Sequence, residues 1–166
     1  MEKLLIFNGI SPYLYILAIC LLMDAYPDEI YTVCLIVYAV QLLATIVISI
    51  ICKDKAKLAK ITMINKFVQI PYYLAFFVIA VIGVLVFMGL MGVGLLFIPI
   101  FVAIDIGVFL TTVIPEEICA IHLLRKRKIS LGRFFLYLIC NCIYVVDIVM
   151  SVMIHRDFKK SLNPEG

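Results

Sequence analysis

The sequence predicts an all-α polytopic transmembrane helix bundle of five spans, and three observations carry that reading. Hydrophobic residues make up 66% of the 166 residues and charged ones only 15%, too little polar surface to solvate a soluble domain of this length. The apolar residues come in long blocks, and about 18 or more residues without charge are enough to cross a bilayer. The bases gather in two dense clusters between blocks, as cytoplasmic loops do. Residues 1–166 are therefore expected to form a single integral membrane domain with no soluble domain.

The first span is expected over 4–23. It follows Lys3, and no small-x-small cleavage site comes after it, so the segment is expected to be retained. Leu17-Ala-Ile-Cys20 has the outline of a lipoprotein cleavage site, but Ile19 is bulky and the apolar run continues. The second span is expected over 30–51. Between 67 and 114 the only charge is Asp105, and one helix of that length would measure about 72 Å. The segment must turn back. Gly89-Leu-Met-Gly-Val-Gly94 offers the bend, giving spans over 67–88 and 93–114, the latter closed by Pro115. The fifth span is expected over 134–154.

The connection at 24–29 carries three acids and no base. Lys53, Lys55, Lys57, Lys60 and Lys66 crowd the second connection, and Arg125, Lys126, Arg127, Lys128 and Arg133 the fourth. The positive-inside rule then places the N-terminus in the cytoplasm of a plasma membrane. Five spans put the C-terminus outside, although His155-Arg-Asp-Phe-Lys-Lys160 brings three more bases there. A re-entrant last segment is the alternative.

Six cysteines are present, none in a C-x-x-C, and most lie in or beside apolar runs. They read as small hydrophobes rather than redox pairs.

Asn8-Gly-Ile-Ser-Pro-Tyr-Leu-Tyr15 and Asn65-Lys-Phe-Val-Gln-Ile-Pro-Tyr-Tyr73 resemble an uncharacterised family of small multi-span membrane proteins from Gram-positive anaerobic bacteria. The resemblance covers the first half of the chain. It implies a bacterial plasma membrane and assigns no activity or functional residue.

Polar groups inside the spans narrow where chemistry could sit. An acid at a helix centre costs about 2.5–3.5 kcal/mol on insertion scales, yet Asp105 falls mid-span and Asp147 lies in the fifth block. Counted from the cytoplasmic ends, both sit at similar depth, level with Gln41. No Lys or Arg is expected that deep, so the acids are expected to be protonated, cation-bound or beside water. Asn141, Tyr144 and Thr112 complete a candidate polar cleft among spans two, four and five. The competing reading is hydrogen-bonded glue between helices, typically about 0.6 kcal/mol per contact.

At the boundaries, Lys53, Lys57 and Lys60 on one helical face, with Arg125, Lys126, Arg127 and Lys128, form a candidate docking surface. Anionic lipid headgroups are the expected partner and another membrane protein the alternative; nucleic acid is not expected. Glu116-Glu117 resembles the glutamate pair of intramembrane prenyl-protein proteases, but Ile121 stands where their arginine would be. The glutamates are instead expected to face Arg125–Lys128. No catalytic residue, metal or cofactor is expected.

Two functions follow as expectations. One is a non-enzymatic accessory or immunity component of a bacterial membrane, acting by interaction. The other is a small proton- or cation-coupled carrier, or a polar-ligand-binding bundle, using Asp105 and Asp147.

Overall fold

The computed structural model describes residues 2–22, 25, 27–89, 94–141, 143 and 146–162. Six helices follow in order: α1 (Glu2–Leu22), α2 (Pro27–Ile51), α3 (Lys55–Gly89), α4 (Gly94–Arg125), α5 (Leu131–Cys140) and α6 (Val146–Leu162). Among the described residues there is no strand. Among the described residues, three segments, Lys3–Leu22, Thr32–Ile51 and Lys55–Val86, are long and apolar enough to cross a membrane. Of the expected glycine hinge, residues 90–93 lie outside the described residues.

α3 is the hub, packing on α1, α4 and α6. Its 35 residues measure about 52 Å, well beyond the roughly 30 Å of a hydrocarbon core. The extra length has a use. Leu58, Ala59 and Ile61 at its start join Leu5, Cys119, Ala120, Leu123, Tyr137, Met150, Ile154 and Phe158 in the hydrophobic core. The core thus lies at the end of the bundle that carries the basic loops. Further along α3, the apolar side chains of Leu74, Phe77, Ile79, Ile82 and Leu85 are exposed.

Local chemistry fixes the helix ends. Asp54 Oδ1 accepts from the Lys57 amide at 3.0 Å, an N-cap for α3. Lys53 therefore precedes α3 and does not share a helical face with Lys57 and Lys60. Lys55 Nζ donates to the carbonyls of Ser49 at 2.5 Å and Ile50 at 3.0 Å, closing α2 with a positive charge. α4 ends in a Schellman turn. The amide of Lys128 donates to Leu123 O and that of Arg127 to Leu124 O, with Arg127 in the left-handed region at φ 53°.

Two expectations are corrected here. Pro115 does not close the fourth span but stays inside α4. Proline removes one backbone bond, but Cys119, Ala120 and Leu123 beyond it are fully buried, and their burial carries the helix onward.

The larger correction concerns 134–154, which is not one helix. α5 stops at Cys140, with Asn141 as C-cap, and α6 starts at Val146 and runs back. Arg133 Nη2 lies 2.9 Å from Asp157 Oδ1, and the Tyr137 hydroxyl donates to Asp157 Oδ2 at 2.6 Å. The two helices are thus an antiparallel hairpin, closed at its open end by these contacts. The far end of α6 comes down beside the basic loops, where Phe158 stacks on His122 with ring centroids 6.3 Å apart. The C-terminal end of α6 and the start of α1 consequently lie at the same end of the bundle, not at opposite ends. The three unexplained bases of the tail thus lie at the end that carries the basic loops.

Candidate functional site

The deepest polar side chains form two adjoining clusters, built from residues that follow one another along α3. The first is made of neutral groups. Asn8 Nδ2 on α1 donates to Thr45 Oγ1 at 2.9 Å, and Gln41 Nε2 on α2 donates to Asn8 Oδ1 and to Ser11 Oγ, both at 2.8 Å. The Tyr15 hydroxyl donates to Gln41 Oε1 at 2.5 Å. On α3, Asn65 Nδ2 donates to Leu5 O at 2.6 Å, and Gln69 Nε2 to Asn8 O at 2.8 Å.

That last bond has a covalent cause. Pro12 has no N–H, so the Asn8 carbonyl one turn before it loses its helical partner, and Gln69 takes it. α3 carries its own proline, Pro71, and the neighbouring turn is opened by a side chain from α1. The Tyr13 hydroxyl donates to Val68 O at 2.6 Å and accepts from the Tyr72 amide at 3.1 Å, so it bridges a backbone pair one turn apart beside the proline. Gly9 lets the two helices close up. A Cβ there would stand 2.8 Å from Asn65 Oδ1.

The second cluster is ionic. Lys66 Nζ lies 2.5 Å from Glu116 Oε2 and 3.0 Å from Asp147 Oδ2, with all three side chains nearly excluded from solvent. The Ser151 hydroxyl donates to Glu116 Oε1. Three helices, α3, α4 and α6, therefore meet on one ammonium. Beside it, Asn141 Nδ2 donates to Glu117 Oε1 at 2.9 Å, while Asn141 Oδ1 and Glu117 Oε2 are buried with no partner.

The expected cleft of Asp105, Asp147 and Gln41 is redistributed. Gln41 belongs to the neutral cluster and Asp147 to the ionic one. Asp147 is paired with a base, which corrects the expectation that no Lys reaches this depth; Lys66 counted there as part of a loop. Asp105 lies eleven residues before Glu116 on α4, about 16 Å along the axis, so it is not level with Asp147. Thr112 bonds back to Phe109 O at 3.0 Å within its own helix. Asn141 reaches Glu117, and Tyr144 lies outside the described residues. The glutamate pair does not face Arg125–Lys128: Glu116 faces Lys66 and Glu117 faces Asn141.

The candidate docking residues separate as well. Lys53, Lys126 and Lys128, with Lys55 and His122, surround Phe158 in a cavity of about 270 Å3 that also includes Asp54. Lys57, Lys60, Arg125 and Arg127 are exposed outside it. Lys60 instead acts on His155 of α6, whose pKa is held below its ordinary value by burial first, then by Lys60 and Lys159. Among the described residues, no group of three or more His, Cys, Asp or Glu could hold a metal ion.

A family model described as a family of unknown function (DUF6652) matches residues 4–160. The chain belongs to the DUF6652 family. The match extends well past the first half of the chain to take in all six helices, so the hairpin and both polar clusters lie within the shared DUF6652 region. No curated protein and no solved structure matches the chain.

Proposed function

We propose that the chain is a non-enzymatic plasma-membrane protein that acts by interaction, as an accessory or immunity component. In this reading α1–α4 cross the bilayer and the α5–α6 hairpin lies at the cytoplasmic interface, with both termini on that side. α5 suits an interfacial position. Tyr137 is buried against the core while Leu131, Phe135 and Ile139 are exposed, an apolar face free to enter the acyl boundary.

The observation that carries the functional reading is how the deep polar groups are used. Asn8, Gln41, Gln69, Lys66, Glu116 and Asp147 are joined to one another across helices, in fixed contacts rather than along an open path. Groups spent in this way hold helices together. The exposed remainder is an apolar perimeter and a basic collar, both suited to partners and lipid.

A carrier is favoured by one different feature: two carboxylates share one ammonium, leaving the ionic cluster one negative charge in excess. A proton could neutralise it. Reconstitution into vesicles with an internal pH dye separates the readings. The interaction reading expects no flux above empty vesicles under a pH or cation gradient, and cross-linking in native membranes that recovers one stoichiometric partner. Flux abolished by Asp147→Asn would establish the carrier instead.

A further inference from the structure

Away from both clusters, α3 and α4 enclose a groove of about 400 Å3 lined by Tyr73, Phe76, Phe77, Ala80, Val102 and Asp105, among others. That volume falls within the roughly 300–1,000 Å3 of small-ligand sites. Asp105 is the one carboxylate among the described lining residues. It is partly exposed, and its surroundings include Tyr72, whose hydroxyl lies within its electrostatic reach.

The lining selects by charge. Tyr73, Phe76 and Phe77 give the groove an aromatic wall beside the carboxylate, a surface on which an organic cation can rest. An anion meets the Asp105 carboxylate with no base among the described lining residues to offset it. A small inorganic cation is poorly served too, because Ca2+ takes six to eight oxygen ligands and Mg2+ holds its waters tightly, while the remaining walls are hydrocarbon. A cation with an apolar body suits this lining: the charge meets Asp105, and the body meets the aromatic side chains with Val102 and Ala80. Alanine at position 80 leaves the room.

Access points the same way. Leu74 is 65% exposed and Phe77 67% exposed, and Val102 is exposed as well, so the groove opens on the apolar perimeter. A ligand concentrated in the bilayer can enter sideways. We propose that this groove binds one hydrophobic organic cation, with Asp105 as counter-ion, sharing that carboxylate with its protein neighbours.

The probe is tetraphenylphosphonium, added to the full chain in nanodiscs of zwitterionic lipid and followed by equilibrium dialysis against empty nanodiscs. Saturable binding of one cation per chain is expected, weakened tenfold or more by Asp105→Asn. Ala80→Trp keeps the carboxylate but fills the groove, and is expected to weaken binding as strongly. Uncharged triphenylphosphine oxide is expected not to compete.

Binding that does not saturate, that survives Ala80→Trp, or that triphenylphosphine oxide displaces equally would overturn the proposal. So would an Asp105→Asn variant that keeps its thermal transition and binds within twofold of the parent. If that variant does not fold, Ala80→Trp and Phe77→Leu decide. The inference stands apart from the interaction reading, and its failure would leave that reading untouched.

Discussion

Lys66 Nζ and Glu116 Oε2 lie 2.5 Å apart, at 2% and 1% side-chain exposure, with Asp147 completing the group from a third helix. An ammonium in such a place must be matched, and so must each acid. Lys66→Met, which keeps the length but removes the charge, is expected to cost about 3–5 kcal/mol, because two buried carboxylates then face each other. The neutral triple Lys66→Met/Glu116→Gln/Asp147→Asn is expected to recover most of that loss. Unfolding by SDS titration from mild detergent checks both. Additive losses in the triple would show that the three side chains do not act as a unit.

The α1–α3 contact depends on a missing side chain. In Gly9→Ala the new methyl would meet Asn65 Oδ1 at 2.8 Å, and Asn65 is held by its bond to Leu5 O. The expected loss is about 1–3 kcal/mol from overpacking, and Gly9→Ala/Asn65→Ala should recover part of the steric component. Thermal melts of the two variants make the comparison.

The left-handed turn at Arg127 predicts a gain. Non-glycine residues there cost roughly 1–2 kcal/mol, and the turn keeps its two Schellman bonds with glycine. Arg127→Gly is expected to raise stability by up to about 1 kcal/mol, read as a higher melting temperature. A lower one would mean the guanidinium makes a contact worth more than the strain.

Acidification should loosen the hairpin. The His155 pKa in the folded chain lies below its unfolded value of about 6.5 because of burial, Lys60 and Lys159, so folding favours the neutral ring. Stability from this group is full above about pH 6.5 and falls as pH drops toward the lowered value. Protection factors across α6, from which the intrinsic pH dependence of exchange is removed, are expected to fall over that window in the parent chain and much less in His155→Gln.

Both termini should be reached from one side. Single cysteines at Lys3, Lys128 and Lys160, in a background without native cysteines, are expected to react with a membrane-impermeant maleimide from the same face of inverted vesicles. Labelling of position 160 from the opposite face alone would restore a fifth crossing.

The long helices α1–α4 were legible because their apolar blocks are long and nearly free of charge, and among the described residues three of them hold segments long and apolar enough to cross a membrane. The hairpin was not. A run such as 134–154 is apolar enough to cross, and hydropathy averages away Asn141 and Asp147, the residues that flank the break. The surplus bases at 156, 159 and 160 were the signal, since they sat uneasily outside.

The site was partly legible. Asp147 and Gln41 stood out as polar groups in apolar surroundings, but partners on other helices cannot be paired from a single chain reading. Lys66 was hidden by its position next to a lysine-rich loop. Its real context is the set Thr62, Asn65, Lys66, Gln69 and Tyr73, in which Thr62–Asn65–Gln69–Tyr73 and Thr62–Lys66–Gln69 each step by three or four along α3, which marks a polar seam rather than a flank.

The prolines of α1 and α3 have a consequence for how the chain is made. The Asn8 carbonyl is completed by Gln69, and Tyr13 completes contacts with Val68 and Tyr72. Synthesis at about 5–20 residues per second separates these partners by several seconds, so α1 leaves the ribosome with its defect unmended. During that interval the Asn8 carbonyl has only the Ser11 hydroxyl of its own helix, at 3.3 Å, a weaker substitute for the amide that proline removed. In a chain that crosses a bilayer, as proposed above, the full match of this carbonyl awaits the arrival of α3.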